Sequence, residues 1–414
     1  MFDITWIQHA VGHGGFHTGH LDVLGEGSFN WAFDCGSRRT AKFNEYLAAW
    51  ARRSPMALDW LFVSHFDTDH VSGLDSLMSR TVVNNVMVPY LNEREFAYLL
   101  LHEIARENLD RTLFDLVADP IGFFVSRGAD RVIFLRGRRP DDEAGISEGG
   151  DPDRPKDERG WYTVISPSPS TVSGPKMMAD KSISPAHAQI VEGGFCEITL
   201  HAQAVGLRLK PYRAPVQPYA LRGIIQAIKN LVGATFVGSI QPGLGALAYA
   251  VARHARTAAG RAGLRSIYKQ YVGSSNRASL SLLSTPFVST GVGQHWSLLR
   301  PFRWTDGSGS APAWLNTGDA ELLDSAELSD WQYCYRNELA HVRALALPHH
   351  GSDKNSSAAL QWLCPNATLV AHVRGGSKKH PGDAVVVAAG DRLASVTEEI
   401  GSTVRMTYRA YNSK

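Results

Sequence analysis

Short apolar runs closed by Gly, Ser or charged turns recur along the first 90 or so residues, a pattern of buried strands rather than long helices. Residues 4–7, 30–33, 61–63 and 82–88 read as strands, with turns at Val11-Gly12-His13-Gly14-Gly15 and Asp34-Cys35-Gly36-Ser37. Helical spacing fits 40–52 and 93–117. A strand at 161–165 ends at the Ser-Pro pairs of 166–169. Strand and turn alternate again from 276, with strands predicted at 279–283, 296–299, 344–347, 368–373 and 385–387 and a helix at 355–363. Strands interleaved with helices over this length predict an α/β fold.

Two segments break the pattern. Residues 136–160 carry charge, Pro and Gly and almost nothing apolar, which predicts an exposed loop. Residues 170–275 hold 12 Lys or Arg against Asp180, Glu192 and Glu197. Helices predicted at 219–231 and 244–268 make this a basic, largely helical insertion between core parts 1–169 and 276–414. Arg253, Arg256, Arg261, Arg265 and Lys269 fall on a broad shared helix face, either a solvated surface or a phosphate-facing one.

Composition narrows the classes. A hydrophobic content of 44 % and charged content of 20 % are those of a globular protein. The net charge of +2 excludes a generic polyanion binder, so any such bias is local. No apolar stretch is long enough for a membrane span, and no leader pattern opens the chain. Cys35, Cys196, Cys334 and Cys364 are scattered without a CxxC pair, so a reduced, cytoplasmic protein is expected.

The chemistry is concentrated in Val63-Ser64-His65-Phe66-Asp67-Thr68-Asp69-His70, four potential metal ligands in six residues after an apolar strand. In extended chain His65, Asp67 and Asp69 project to one side, and His70 turns in from the next position. Three later stretches have the same design of ligands just past a strand: Thr317-Gly318-Asp319, His349-His350-Gly351-Ser352 and His380-Pro381. Each alone is an ordinary turn; together they predict one site.

This ordered set resembles the metallo-β-lactamase superfamily, and within it the hydrolase domain of the competence protein ComEC. That branch carries His-x-Asp-x-Asp-His, matched by His65, Asp67, Asp69 and His70, then Thr-Gly-Asp, His-His-Gly-Ser and His-Pro. Its Val-Gly-x-Gly turn is similar to residues 11–14, its Ile-Asp-x-Gly to 33–36 and its Asn-x-x-Ser-Leu to 276–280. Departures are Ser72-Gly73 where Gly-Gly is usual and Gly15 where an acid is usual.

The resemblance implies a four-layer αββα sandwich and two divalent metal ions, Mn²⁺ or Zn²⁺ with Mg²⁺ as an alternative. By analogy Asp67 serves the first metal, Asp69 and His70 the second, and Asp319 bridges them. His349 or His350 completes the second site, and His65 ligates or supports the first. His295 is a weak candidate for the superfamily's middle ligand. Carboxylate at position 67 makes the site harder, favouring Mn²⁺ or Mg²⁺ and a phosphodiester substrate. His65, Asp69 and His380 are the candidate catalytic residues, and Ser352, Lys354, Arg253, Arg256 and Arg265 the candidate substrate-binding ones. The expected function is a nuclease cutting DNA or RNA. The alternatives are a small-molecule phosphodiesterase or lactonase, or an interaction subunit that docks a protein partner through 170–275 and keeps a latent metal site. No membrane partner is expected.

Overall fold

The computed structural model describes residues 1–53, 57–90, 111–137, 162–167, 170–171, 187–202, 205–214, 224–232, 251, 254, 257–270, 279–288, 292–301, 303–323 and 325–412. Among them, strands assemble into two sheets. The first places, in spatial order, Arg303–Ser308, Val292–Arg300, Val404–Asn412, Phe2–Gln8, His17–Val23, Gly27–Phe33, Ala57–Phe62, Val82–Pro89, Arg131–Leu135, Ala188–Val191 and Ser170–Thr171. The second places Leu393–Val396, Thr368–His372, Val342–Ala346, Ala313–Asn316, Leu280–Val288, Val205–Arg213, Glu197–Ala202 and Tyr162–Ser166. Each sheet is part antiparallel and part parallel. Gly27–Phe33 through Arg131–Leu135 run parallel in the first, and Ala313–Asn316 through Leu393–Val396 in the second.

Alternation drives the packing. In Phe2–Gln8 every second side chain is buried, so Phe2, Ile4 and Trp6 face inward. They join Trp31, Trp60, Leu207, Leu282 and Trp314 in one buried cluster drawn from both sheets. Trp6 Nε1 donates to Ser284 Oγ at 2.8 Å, so the indole's polar end is satisfied across that interface. A second cluster lies where Phe43 and Leu47 of helix Thr40–Ala51, with Leu74, Leu113 and Phe124, meet residues of the first sheet. A third joins Trp331 and Tyr335 of helix Ser325–Tyr335 to Leu345 and Leu369 of the second. Among the described residues no helix is long and apolar enough to cross a membrane. All four cysteines are buried thiols.

The elements differ from the sequence expectations in places. Residues 385–387, expected as a strand, lie in helix Asp383–Ala389. Three valines favour a strand locally, but Val385 packs inward while Val387 stays 82 % exposed, and Asp353 Oδ1 accepts from the Val385 N–H to hold the first turn. Segment 170–275, expected to be largely helical, contributes strands Ala188–Val191, Glu197–Ala202 and Val205–Arg213 to the sheets before helices Ile224–Val232 and Ala258–Gln270. Counting charge hid the alternation of buried Ile198 and Leu200 with partly exposed neighbours. Of the basic residues, Lys210 is buried: its Nζ donates to the Cys334 carbonyl at 2.7 Å and lies 3.6 Å from Glu338, which the partly exposed Arg208 also faces at 3.6 Å. The loop expected at 136–160 falls, apart from 136–137, outside the described residues, as do 93–110 of an expected helix.

Candidate metal centre

The site sits where the carboxyl ends of parallel strands from both sheets meet, the edge at which α/β folds gather ligands. Leu280 N donates to Ser64 O at 2.7 Å and ties the sheets together there. Strand Ala57–Phe62 ends and the chain turns through His65 to Asp67, which starts the short helix Thr68–Val71. The neighbouring strand Gly27–Phe33 ends at Asp34, a buried residue at φ 58°. Its carboxylate accepts from Ser64 N at 2.6 Å and Ser64 Oγ at 2.7 Å, and lies 2.8 Å from His70 Nδ1. With Nδ1 held by a carboxylate, Nε2 of His70 is aimed into the site.

The second sheet supplies the opposite wall. Strand Ala313–Asn316 leads to Gly318 at φ 54°, where an added Cβ would strike the Ser279 hydroxyl and lie 2.8 Å from Ser64 Cβ. Ser279 Oγ accepts from the Asp319 N–H at 2.9 Å, and Asn355 Nδ2 donates to the Asp319 carbonyl at 3.2 Å. After strand Val342–Ala346, His349 and His350 both take positive φ, 46° and 59°. Such conformations cost roughly 1–3 kcal/mol each in non-glycine residues and cluster at functional sites. They turn both imidazoles toward the carboxylates.

Two trios result. His65, His70 and Asp319 offer ligand atoms within 4.8 Å of one another, and so do His13, Asp69 and His350. In the first, His65 Nε2 lies 3.6 Å from Asp319 Oδ2 and 3.9 Å from Asp67 Oδ2, and His70 Nε2 lies 3.3 Å from Asp319 Oδ1. His349 Nδ1 stands 3.8 Å from Asp319 Oδ2. In the second, Asp69 Oδ2 lies 3.3 Å from His13 Nε2 and 3.4 Å from His350 Nε2, and Arg38 Nε donates to it at 3.0 Å. His65 Nε2, His70 Nε2, Asp319 Oδ1 and both nitrogens of His350 are buried without a hydrogen-bond partner. Convergent, orphaned nitrogen and carboxylate atoms fit divalent cations of the Zn²⁺ or Mn²⁺ type.

Charges follow from the packing. Burial raises the Asp319 carboxyl, but His349, His70 and His65 outweigh it and hold the pKa well below the usual carboxylate range. Burial is likewise overcome at Asp69 by His350, His70 and Arg38. Burial and the His70 charge push His65 down, while burial and His350 push His13 down to about 2. Burial, with His350 and His349, takes His380 to about 4. In all three the shift is toward the uncharged form, the form with a lone pair available to a cation. His70 is the exception: Asp34 and Asp319 overcome its burial and raise it well above its ordinary value.

That difference fixes a pH effect. In the metal-free chain the His70 imidazolium contributes stability fully present below the unfolded pKa of about 6.5 and lost as pH rises through the raised folded value. A metal must displace that proton, so cation uptake near neutral pH is expected to release one proton at His70 and to tighten as pH rises toward the folded value. Titration calorimetry in buffers of different ionisation enthalpy reads this directly; binding heats independent of buffer would contradict it. Asp34→Asn keeps shape but weakens the hold on His70 Nδ1. A drop of roughly 10–100-fold in metal affinity is expected, measured by competition with a chromogenic chelator, and unchanged affinity would remove Asp34 from this role.

The structure brings His65, Asp67, Asp69, His70, Asp319, His349 and His350 to one place. His380 joins them, its ring centroid 5.6 Å from His13 and 5.7 Å from His349. Ser352 Oγ accepts from the Lys354 N–H at 3.2 Å, so that hydroxyl closes its own turn, and Lys354 is exposed. His295 is elsewhere, on strand Val292–Arg300 with Asp306 at 3.7 Å. Arg253 and Arg256 lie outside the described residues, as does the side chain of Arg265. His70, expected beside Asp69 at a second metal, has its ligand nitrogen near His65 and near Asp319, the carboxylate expected to bridge. His13, the holding role of Asp34 and the Arg38 contact were not predicted. His13 and Asp34 lay in recognised turns; Arg38 had no signal. Gly15 has no room for the acid usual there, since a Cβ would come within 2.8 Å of Asp34 Cβ.

Residues 33–157 match the family model described as the metallo-beta-lactamase superfamily. The match includes Asp34 and residues 65–70; Asp319 and His350 come from beyond it and are brought there by the fold. No curated protein matches the chain.

Proposed function

We propose that this chain, carrying a metallo-β-lactamase superfamily domain, is a metal-dependent hydrolase of nucleic-acid phosphodiester bonds. The observation that carries the reading is the pair of His/Asp trios at one strand edge, buried but for the partly exposed His13. When bound there, divalent cations supply Lewis-acid polarisation of a phosphoryl oxygen and activation of water. The chain's own residues position them: Asp319 and Asp69 as ionised carboxylates, His65, His70 and His350 as imidazole donors. Asp67, buried 3.9 Å from His65, adds negative charge that favours Mn²⁺ or Mg²⁺ over an all-histidine zinc site.

Exposed Lys354, Arg374, Lys378 and Lys379 flank His350 and His380 in sequence, and Arg38 is half exposed at Asp69. Such a rim favours a polyanion over a neutral lactam or lactone. His380, half-buried beside His13 and His349, is the candidate for meeting the leaving group. Kinship with the ComEC-type hydrolase rests on the ordered motifs. The four-layer αββα arrangement is supported by the three buried clusters, one drawn from both sheets and one beside each.

The test is cleavage of labelled single- and double-stranded DNA and RNA in Mn²⁺, Mg²⁺ or Zn²⁺. Metal-dependent cutting is expected, with binding that weakens by a log–log salt slope of about −0.9 per duplex phosphate contacted, or about −0.7 per single-strand phosphate. Hydrolysis of bis-p-nitrophenyl phosphate with every polymer intact would instead identify a small-molecule phosphodiesterase. Absence of turnover on all substrates would favour the partner-docking subunit.

A further inference from the structure

The donors around Asp69 do not match those the resemblance supplies. Its carboxylate meets two imidazoles, and one of them, His13, comes from the variable position of the N-terminal turn. That turn is pinned to the very residue it faces. Gly15 N donates to the Asp69 carbonyl at 3.0 Å and to Gly36 O at 3.1 Å, Gly36 N donates back to Gly15 O at 2.9 Å, and Arg38 N donates to His13 O at 3.0 Å. At Gly14 an added Cβ would come within 2.8 Å of the Asp69 carbonyl oxygen. Backbone contact this close presets His13 beside Asp69 before any ligand arrives.

The two rings are close and tilted, with centroids 3.8 Å apart and planes 34° from parallel. Nε2 of His13 and Nε2 of His350 both aim at Asp69 Oδ2, yet neither makes a hydrogen bond. His350 is 2 % exposed, and its Nδ1 is also unpartnered. Burying two imidazole nitrogens against a carboxylate without satisfying them is unfavourable unless a cation takes up the lone pairs.

We propose that His13 is a metal ligand: with Asp69 and His350 it completes a second divalent-cation centre, separate in its donors from that of His65, His70 and Asp319. This rests on the metal-dependent reading above. Two imidazoles and one carboxylate would leave such a cation short of ligands, and His380, whose Nδ1 is unpartnered, has its ring 5.6 Å from that of His13.

The experiment uses the full chain stripped of metal and titrated with Co²⁺, reading bound cobalt by elemental analysis and the site by absorption spectroscopy. Wild type is expected to hold two equivalents. His13→Gln should keep one and lose the other by more than the roughly 10–100-fold that an outer-shell change costs. His65→Gln should weaken the complementary equivalent. His13→Cys should recover the second equivalent and add a near-ultraviolet sulfur-to-cobalt band absent from wild type, which decides the matter even if His13→Gln folds poorly. Two equivalents held by His13→Gln at wild-type affinity, or no new band in His13→Cys, overturns the role of His13. A wild type that holds one equivalent overturns the second centre alone, whereas one that holds none overturns the metal-dependent reading as a whole.

Discussion

Asp319→Ala is expected to abolish metal-dependent cleavage, a loss of roughly 10³-fold or more if several kcal/mol of electrostatic stabilisation is removed. The reason is its position. One oxygen faces His70 Nε2 at 3.3 Å and the other faces His65 Nε2 at 3.6 Å and His349 Nδ1 at 3.8 Å. No other carboxylate among the described residues belongs to that trio. Removing it also takes away a charge that keeps His70 protonated, so the metal-free variant should bind protons less tightly there. Ser279 and Asn355 hold the residue through its backbone, which alanine retains, so the fold should survive. Cleavage rate and bound metal, measured together, check the prediction. A variant that cuts at more than a tenth of the wild-type rate would show that Asp319 is not at the reacting centre.

Gly36→Ala is expected to disturb the site through a single added methyl group. Its Cβ would lie 2.6 Å from the backbone of Asp69, His70 and Val71, atoms that cannot move without shifting two site residues. Gly36 also exchanges backbone hydrogen bonds with Gly15, while the adjacent Cys35 N donates to His70 O at 2.8 Å. Overpacking of this kind costs about 1–3 kcal/mol and occasionally more. The displacement should carry Asp69 and His70 with it, so metal binding and stability fall together. Denaturant unfolding and metal stoichiometry give the readout, with Gly401→Ala as control because nothing lies within 4 Å of its added Cβ. Wild-type melting together with wild-type metal content in Gly36→Ala would contradict the close approach.

Much of this was legible along the chain, and for local reasons. A buried strand flanked by turn residues announces itself through its apolar run, so residues 4–7, 30–33, 61–63, 82–88, 344–347 and 368–373 fall in strands at nearly those bounds. Ligand types crowded into 65–70 cannot be explained by an ordinary turn, so the site was visible before its geometry. Residues 385–387 form a helix and not the expected strand because packing of one helix face overrides the strand preference of three valines. The basic count over 170–275 concealed strands because charge is summed over a segment, while strand formation depends on the alternation within it.

Which donors meet which was settled only in three dimensions. Adjacent in sequence, Asp69 and His70 leave the same short helix toward different trios, a consequence of Asp34 gripping His70 Nδ1 from the neighbouring strand. His13 reaches Asp69 across 56 positions because backbone hydrogen bonds dock one turn on another. Arg38 and Ser279 act through the same closure of two sheets at one edge. Periodicity and composition record what each residue does to its own segment. The pairing of side chains distant in sequence is a property of the packed sheets, and it is there that scattered histidines and aspartates become a site.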